Sequence, residues 1–394
     1  MKKYIFIVLS MLLSSCSTAT LTSIAVDQKL PSKEDDILES KPHTNYTIKK
    51  DVDAYPESII FIIADGTGVG QYTLSYYANG EFAPARFDHI GLVATHPNDG
   101  ECTTSCKRVT DSAASGTALS AGEKTYNGAI GVDNDKNPVK TMLEWAQENG
   151  MSTGLVATSS VTHATPASFA AHVDYRKKEH EIARQYATAD VDVILGGGKK
   201  FWPDSLITFY ESQGAQFIED INAPIDEDKR LLGLFSESGL SKVYEGREVS
   251  TTQMAKLALS KLEKNENGFF VMIEESQVDW GGHANNGTYI QGEMQSLNDL
   301  VNYILDYQEA NPNVLVVLTA DHECGGVAVH DSEGGDLEIR FTSDYHSANF
   351  VPIFATGPGA SVFDAFIDNT EIGKQLIKYI NKVEDVEDFE WEVK

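Results

Sequence analysis

Positive charge is what this sequence has least of. Lys and Arg number 31 against 59 Asp and Glu in 394 residues, for a formal net charge of −28. Phosphate backbones are drawn to Lys and Arg, so the balance argues against nucleic acid as a specific partner. Small phosphates would be repelled at long range as well. A phosphate-handling site in such a chain needs concentrated local positive charge, and bound metal ions are the obvious source. Cysteine is scarce too. Cys16, Cys102, Cys106 and Cys324 are the whole set, without the paired CxxC pattern of a structural zinc site. Internal repeats and low-complexity tracts are missing, and so are long hydrophobic runs. The stretch from Tyr4 to Leu13 falls well short of the ~20 residues that span a bilayer.

That short stretch follows Lys2 and Lys3 and precedes small residues, which reads as a signal peptide over residues 1–15. Leu13-Ser14-Ser15-Cys16 resembles a bacterial lipobox, in which the cysteine is acylated and becomes the new N-terminus. A plain signal peptide cut a few residues later, or an anchor left in place, is the alternative. The expectation is an exported lipoprotein, periplasmic or on the cell surface, held to a bacterial membrane (the outer one) by a lipid on Cys16. Residues 16–55 are polar, mixed in charge and without sustained periodicity, as a flexible tether would be. In an exported chain Cys102 and Cys106 are close enough to form a small disulfide loop, which leaves Cys324 over.

The folded body, residues 56–394, begins abruptly with Ser58-Ile59-Ile60-Phe61-Ile62-Ile63-Ala64. A run with no polar face suits a strand buried on both sides, as in a parallel sheet. Similar runs recur at Thr153 to Thr158, Val191 to Leu195, Gly268 to Glu274, Val314 to Ala320 and Val351 to Ala355. Helical stretches over Val139 to Asn149, Lys178 to Ala189, Thr251 to Lys264 and Tyr289 to Gln308 lie between them. The alternation predicts one large α/β domain with a mostly parallel central sheet and helices on both faces. Ligands of such sheets bind at the carboxyl ends of the strands.

Polar residues gather at those ends. Asp65 follows the first run, Glu274 ends the fourth with Asp279 and His283 beyond it, Asp321 and His322 follow the fifth, and His346 precedes the sixth. Carboxylates and imidazoles are the donors that zinc and harder divalent cations take. Each has a plainer reading: Asp65 as a turn residue, Asp279 and His283 as an i,i+4 surface pair. Gly281 and Gly282 argue against a helix between the last two and for a loop folded around something. Ser112 precedes a helical stretch through Ser120, where free N–H groups and the helix dipole favour an anion. Asp111 or Ser112 as no more than an N-cap is the commoner local pattern. Arg176 could clamp two phosphate oxygens with its fork, although an isolated arginine is usually solvated.

Taken in order, these segments resemble alkaline phosphatase from about Ser58 to Gly359. The telling pieces are Asp65-Gly66, Thr110-Asp111-Ser112-Ala113-Ala114-Ser115, Gly122-Glu123-Lys124-Thr125-Tyr126-Asn127-Gly128, Thr162-His163-Ala164-Thr165-Pro166, Asp279-Trp280-Gly281-Gly282-His283-Ala284 and Thr319-Ala320-Asp321-His322-Glu323. The resemblance implies a catalytic domain over residues 56–394, two Zn²⁺ and one Mg²⁺, and a serine nucleophile at Ser112. Asp279, His283 and His346 would hold one zinc. Asp321, His322 and Asp65 would hold the other, completed by Ser112, and Asp65, Thr165 and Glu274 the magnesium. Arg176 would clamp the phosphate, and His163 and Trp280 match the branch with His and Trp beside the metals. Glu275 and Cys324 depart from the Gly and Thr expected there, and the stretch from His322 to His346 is short for the family. That shortness bears on a homodimer, since the insertion often supports its contacts.

The implied activity is hydrolysis of small phosphate monoesters through a phosphoserine at alkaline pH, serving phosphate scavenging outside the cytoplasm. Three divalent cations and Arg176 outweigh the carboxylates of Asp65, Glu274, Asp279 and Asp321, so the pocket would be cationic inside an acidic protein. Other readings differ at named residues. A sulfatase wants Ser/Cys-x-Pro-x-Arg, and Ala114 and Gly116 break that pattern. A phosphodiesterase suits Arg176 less well than a monoester dianion does. A surface lipoprotein that binds metal or phosphate without turnover would be favoured by a missing nucleophile or ligand, and none is missing.

Overall fold

With six apolar residues in a row after Ser58, the run Ser58–Ala64 becomes β1, buried at every position and central in a ten-stranded sheet. The computed structural model describes residues 54–99 and 107–383, all within one unit spanning Pro42–Lys394. Cys16, Cys102 and Cys106 lie outside the described residues, and with them the expected leader, lipid site, tether up to residue 53 and disulfide.

After β1 come β2 (His89–Ala94), β3 (Ser152–Ser160), β4 (Val193–Gly197), β5 (Ala215–Ile218), β6 (Arg230–Leu234), β7 (Phe269–Glu275) and β8 (Val314–Thr319). Four short strands follow: β9 (Glu323–Cys324), β10 (Ala328–Asp331), β11 (Leu337–Arg340) and β12 (His346–Ser347). The last two are β13 (Val351–Thr356) and β14 (Phe366–Asp368). The large sheet runs β14-β2-β13-β8-β1-β7-β3-β4-β6-β5. Every neighbour pair is parallel except those of β13, which is antiparallel to β2 and β8. The mostly parallel α/β sheet expected from the sequence is present.

The helices are α1 (Val69–Ala78), α2 (Ser112–Ala121), α3 (Met142–Glu148), α4 (Ala164–Ala170), α5 (Glu179–Tyr186), α6 (Asp204–Ser212), α7 (Thr251–Leu262), α8 (Gln277–His283), α9 (Gly287–Ala310) and α10 (Asn369–Asn381). Successive residues of β1 point to opposite faces. Ile59, Phe61 and Ile63 enter a core shared with α2, α3, α4 and α10, while Ile60, Ile62 and Ala64 enter one shared with α1, α7 and α9. Each fully buried Ile or Phe contributes about 1.5–3 kcal/mol relative to exposure, so both faces of the sheet stay covered. Helix starts carry their own signals. Thr141 Oγ1 accepts from Glu144 N at 3.3 Å and Glu144 Oε2 accepts from Thr141 N at 2.8 Å, a reciprocal cap that opens α3.

One expectation fails. Asp279 to His283 is not a loop but part of α8. The two glycines are there for close approach. A Cβ on Gly281 would lie 3.0 Å from Ile290 N, and one on Gly282 would lie 2.9 Å from the carbonyl carbon of Cys324. The short helix thus lies directly against α9 on one side and β9 on the other.

The register levels the strand ends. Ile63 of β1 pairs with Glu274 of β7 on one side and Thr319 of β8 on the other, and Glu274 also pairs with Ala157 of β3. Asp65 and Asp321 each stand two residues beyond that row. Gly66, at φ +72°, turns the chain where a Cβ would meet Asp279 Cα at 2.5 Å; only glycine admits both.

Candidate metal centre

Three groups of side chains meet at this edge, one of Asp279, His283, Cys324 and His346, one of Asp65, Asp279 and His322, and one of Asp65, Glu274 and His163, with ligand atoms within 4.8 Å of one another in each. The first joins Asp279 and His283, one turn apart on α8, to His346 of β12 and Cys324 of β9. His283 Nδ1 lies 2.8 Å from the Asp344 carbonyl and His346 Nδ1 lies 2.8 Å from the Thr110 carbonyl. Each carbonyl can only accept, so both imidazoles carry a proton on Nδ1 and turn Nε2 toward the group. Those two Nε2 atoms face each other at 3.1 Å, an arrangement that a shared cation satisfies. Asp279 Oδ1 is buried beside them without a hydrogen-bond donor. Burial would raise the Asp279 pKa, but the His346 contact and the nearby histidines outweigh it and hold the carboxyl well below its usual range.

The second group centres on His322 Nε2. Asp321 Oδ2 lies 3.2 Å away, Ser112 Oγ 3.3 Å and Asp65 Oδ1 3.6 Å, so the four residues expected together are together. Asp321 Oδ1 is occupied, accepting from Gly66 N at 3.1 Å and from His322 N at 2.9 Å, which leaves Oδ2 to the site. Ser112 is the first residue of α2 and almost fully buried. Ser115 Oγ donates to the Asp321 carbonyl at 2.7 Å, fixing α2 to the end of β8.

The third group is Asp65, Glu274 and His163, with Thr165 beside it in the first turn of α4. Asp65 Oδ2, Glu274 Oε1 and Thr165 Oγ1 are buried and have no hydrogen-bond partner. Burial and then the charges of Asp321 and Asp279 push Asp65 far above the usual carboxylate range. Burial lifts Glu274 to about 7 and, with Asp279, Asp321 to about 6. Burial and Arg176 bring His163 down to about 3. Buried carboxylates this crowded need cations or protons. The all-oxygen trio Asp65, Glu274 and Thr165 suits magnesium, and the Asp and His sets suit zinc.

Arg176 is only partly exposed and is paired. Its Nη1 donates to Asp111 Oδ2 at 2.9 Å, and its Nη2 lies 3.4 Å from His163 Nε2. Asp111 is also the N-cap of α2, its Oδ1 accepting from Ala114 N and Gly128 N at 3.0 Å each. The N-cap reading of Asp111 therefore holds, and the pairing that the sequence did not indicate is that the cap of the serine's helix also aims the arginine. Asn127 Oδ1 accepts from Asp111 N at 2.8 Å. The Trp280 ring lies edge-on to His163, 6.0 Å between centroids.

Residues 57–336 match the family model for alkaline phosphatase. Alkaline phosphatase 3 of Bacillus subtilis is 33% identical over 414 aligned positions, covering 82% of this chain and 88% of that one. The alkaline phosphatase of Escherichia coli is 30% identical, covering 80% and 84%. Among solved structures, the alkaline phosphatase of the Antarctic bacterium TAB5 superposes with a TM-score of 0.78 at 33% identity, over 84% of this chain and 99% of that one. A histidine-to-aspartate variant of the same enzyme, with magnesium in its M3 site, superposes with a TM-score of 0.77 over the same shares of the two chains. The family match runs from β1 past Asp321 and His322, through the nucleophile candidate and most of the clustered ligands, and the chain belongs to the alkaline phosphatase family of metal-dependent phosphomonoester hydrolases.

Proposed function

We propose that this chain hydrolyses phosphate monoesters in two displacements, with Ser112 as the nucleophile and a phosphoserine between them. Most weight falls on the convergence at His322 Nε2, where Ser112 Oγ, Asp321 Oδ2 and Asp65 Oδ1 come within 3.3, 3.2 and 3.6 Å. Two Zn²⁺, one on Asp279, His283 and His346 and one on Asp321, His322 and Asp65, and one Mg²⁺ on Asp65, Thr165 and Glu274, complete the reading. Bound there, the cations supply Lewis acidity and the positive charge that an alkoxide and a phosphate dianion require. Ser112 Oγ forms a bond to phosphorus as the ester oxygen leaves with the alcohol. Water then cleaves the phosphoserine, releasing inorganic phosphate and restoring the hydroxyl. Arg176, held by Asp111, offers its remaining N–H groups to the non-bridging oxygens, and the first turn of α2 adds N–H donors beside Ser112. His163 stands between the arginine and the carboxylates of Asp65 and Glu274, with the Trp280 ring edge-on to it.

Hydrolysis of p-nitrophenyl phosphate at alkaline pH tests this with wild type and Ser112→Ala, before and after EDTA and with Zn²⁺ plus Mg²⁺ restored. Turnover should fall by about 10³-fold or more with the serine removed, vanish with the chelator and return with the metals. Acid quench with labelled substrate should trap phosphate on wild type and not on the variant. A metal-loaded wild type inert on the monoester would overturn the proposal.

The same reading includes export, with a lipid on Cys16, a tether and phosphate scavenging outside the cytoplasm. The charged leader and the lipobox-like Leu13-Ser14-Ser15-Cys16 support it. Cys16→Ala should then move the protein from the membrane fraction to the soluble one.

A further inference from the structure

We propose that Cys324 is a fourth protein ligand, through its Sγ, of the cation held by Asp279, His283 and His346, an inference that rests on the metal centre proposed above. The backbone brings it there by two independent pairings. In the antiparallel pair of β9 and β12, Cys324 stands directly opposite His346, so the two side chains share one face. On α8, Asp279 and His283 are one turn apart and share another, and Gly282 between them rests on Cys324 itself, where a Cβ would meet Cys324 Cβ at 2.9 Å. The strand pair thus contributes one sulfur and one imidazole, the helix one carboxylate and one imidazole. All four ligand atoms fall within 4.8 Å of one another.

Simple burial does not account for this placement. A buried free cysteine usually acts as a small apolar side chain among others of its kind. Cys324 instead sits in a polar cluster, its thiol on the Asp279 carboxylate, whose Oδ1 is buried without a hydrogen-bond partner, and beside two imidazole Nε2 atoms 3.1 Å apart. Binding exchanges the thiol proton for the cation and releases it to solvent, leaving a thiolate–metal bond. Thiolate is a soft donor, so the exchange favours zinc, cadmium or cobalt over magnesium or manganese at this position. Three protein ligands leave zinc one open position in a tetrahedron. With the sulfur as a fourth, an open position for substrate requires five-coordination, which catalytic zinc can reach.

The full-length protein with Cys102→Ser and Cys106→Ser, loaded with Co²⁺ in place of zinc, separates the cases. Cobalt d–d bands that disappear with His346→Ala report that the Asp279, His283 and His346 centre is filled. A near-ultraviolet thiolate-to-cobalt charge-transfer band, lost in Cys324→Thr while the d–d bands remain, supports the proposal. Filled d–d bands without a charge-transfer band overturn it and leave the centre intact. No cobalt bound at His346 overturns both. Should Cys324→Thr fail to fold, zinc X-ray absorption on the double-serine holoenzyme decides the question: a sulfur shell near ~2.3 Å supports the proposal, and nitrogen and oxygen alone near ~2.0–2.1 Å overturn it. Cys324→Thr should also weaken zinc retention against a chelator, by at least the about tenfold that loss of an outer-shell partner costs.

Discussion

Asp111 shows how much one side chain does at this site. It caps α2, accepts from Gly128 N and fixes the Arg176 guanidinium. Arg176→Ala should lower kcat/KM by about 10²-fold and weaken inhibition by inorganic phosphate, because a charged fork on the phosphate is lost. Asp111→Asn keeps the cap and leaves the fork less firmly aimed, so its effect should be about tenfold. Equal losses in the two variants would show that Asp111 contributes directly rather than through the arginine. A second pair makes a pH test. His172 Nδ1 donates to the Gly131 carbonyl at 2.6 Å and Nε2 to Glu144 Oε1 at 3.0 Å, which only an imidazolium can do. Burial lowers the His172 pKa, but Glu144 outweighs it and the net shift is upward from 6.5. Its contribution is present in full below that value and is lost as pH rises through the raised one. Glu144 is shifted the other way, burial being outweighed by His172, so its share fades as pH falls through its lowered value. His172→Gln should therefore destabilise by about 1 kcal/mol near pH ~6 and much less near pH ~9 in urea titrations. The same loss at both would refute the ion pair.

Elements were legible where local pattern alone decides them. The uniformly apolar runs gave β1, β3, β7, β8 and β13, and periodic stretches gave α3, α5, α7 and α9 to within a few residues. β2, β5, β6 and β14 were not read, because short or half-exposed strands are defined by neighbours far away in sequence. The loop expected at α8 failed for a related reason. Gly281 and Gly282 look like helix breakers in isolation, and their use is contact with Ile290 and Cys324. Likewise, the residue types of the metal centre could be seen at the strand ends, while the carbonyls that orient them and the approach of Cys324 to His346 depend on tertiary pairing. Glu275, unexpected at its position, has a partner the sequence did not disclose. Arg247 bridges Glu275 Oε1 at 2.9 Å and Glu293 Oε2 at 2.6 Å, with all three side chains nearly inaccessible, and so ties β7 to α9. Arg247→Met should cost about 3–5 kcal/mol by leaving buried carboxylates unpaired. Adding Glu275→Gln and Glu293→Gln should recover much of it in denaturant titrations; no recovery would mean that Arg247 acts by packing alone.

For the whole molecule, the sheet gathers Asp65, Glu274, Asp279 and Asp321 at one edge of a chain already at −28. Cations bound there stabilise the folded state over the unfolded one by mass action, about 2.7 kcal/mol for one ion at a hundredfold excess over its Kd. EDTA should lower the unfolding temperature by several degrees, and Zn²⁺ with Mg²⁺ should restore it. An unchanged transition would show that protons, not metals, relieve the crowding. His283 and His346 are aimed by the carbonyls of Asp344 and Thr110. Every amino acid carries a carbonyl, so those two positions can drift through evolution, side chain by side chain, without either imidazole losing its guide. The inheritance of the metal centre is therefore divided: its donors are written in residue identity, and their aim is written in the path of the chain.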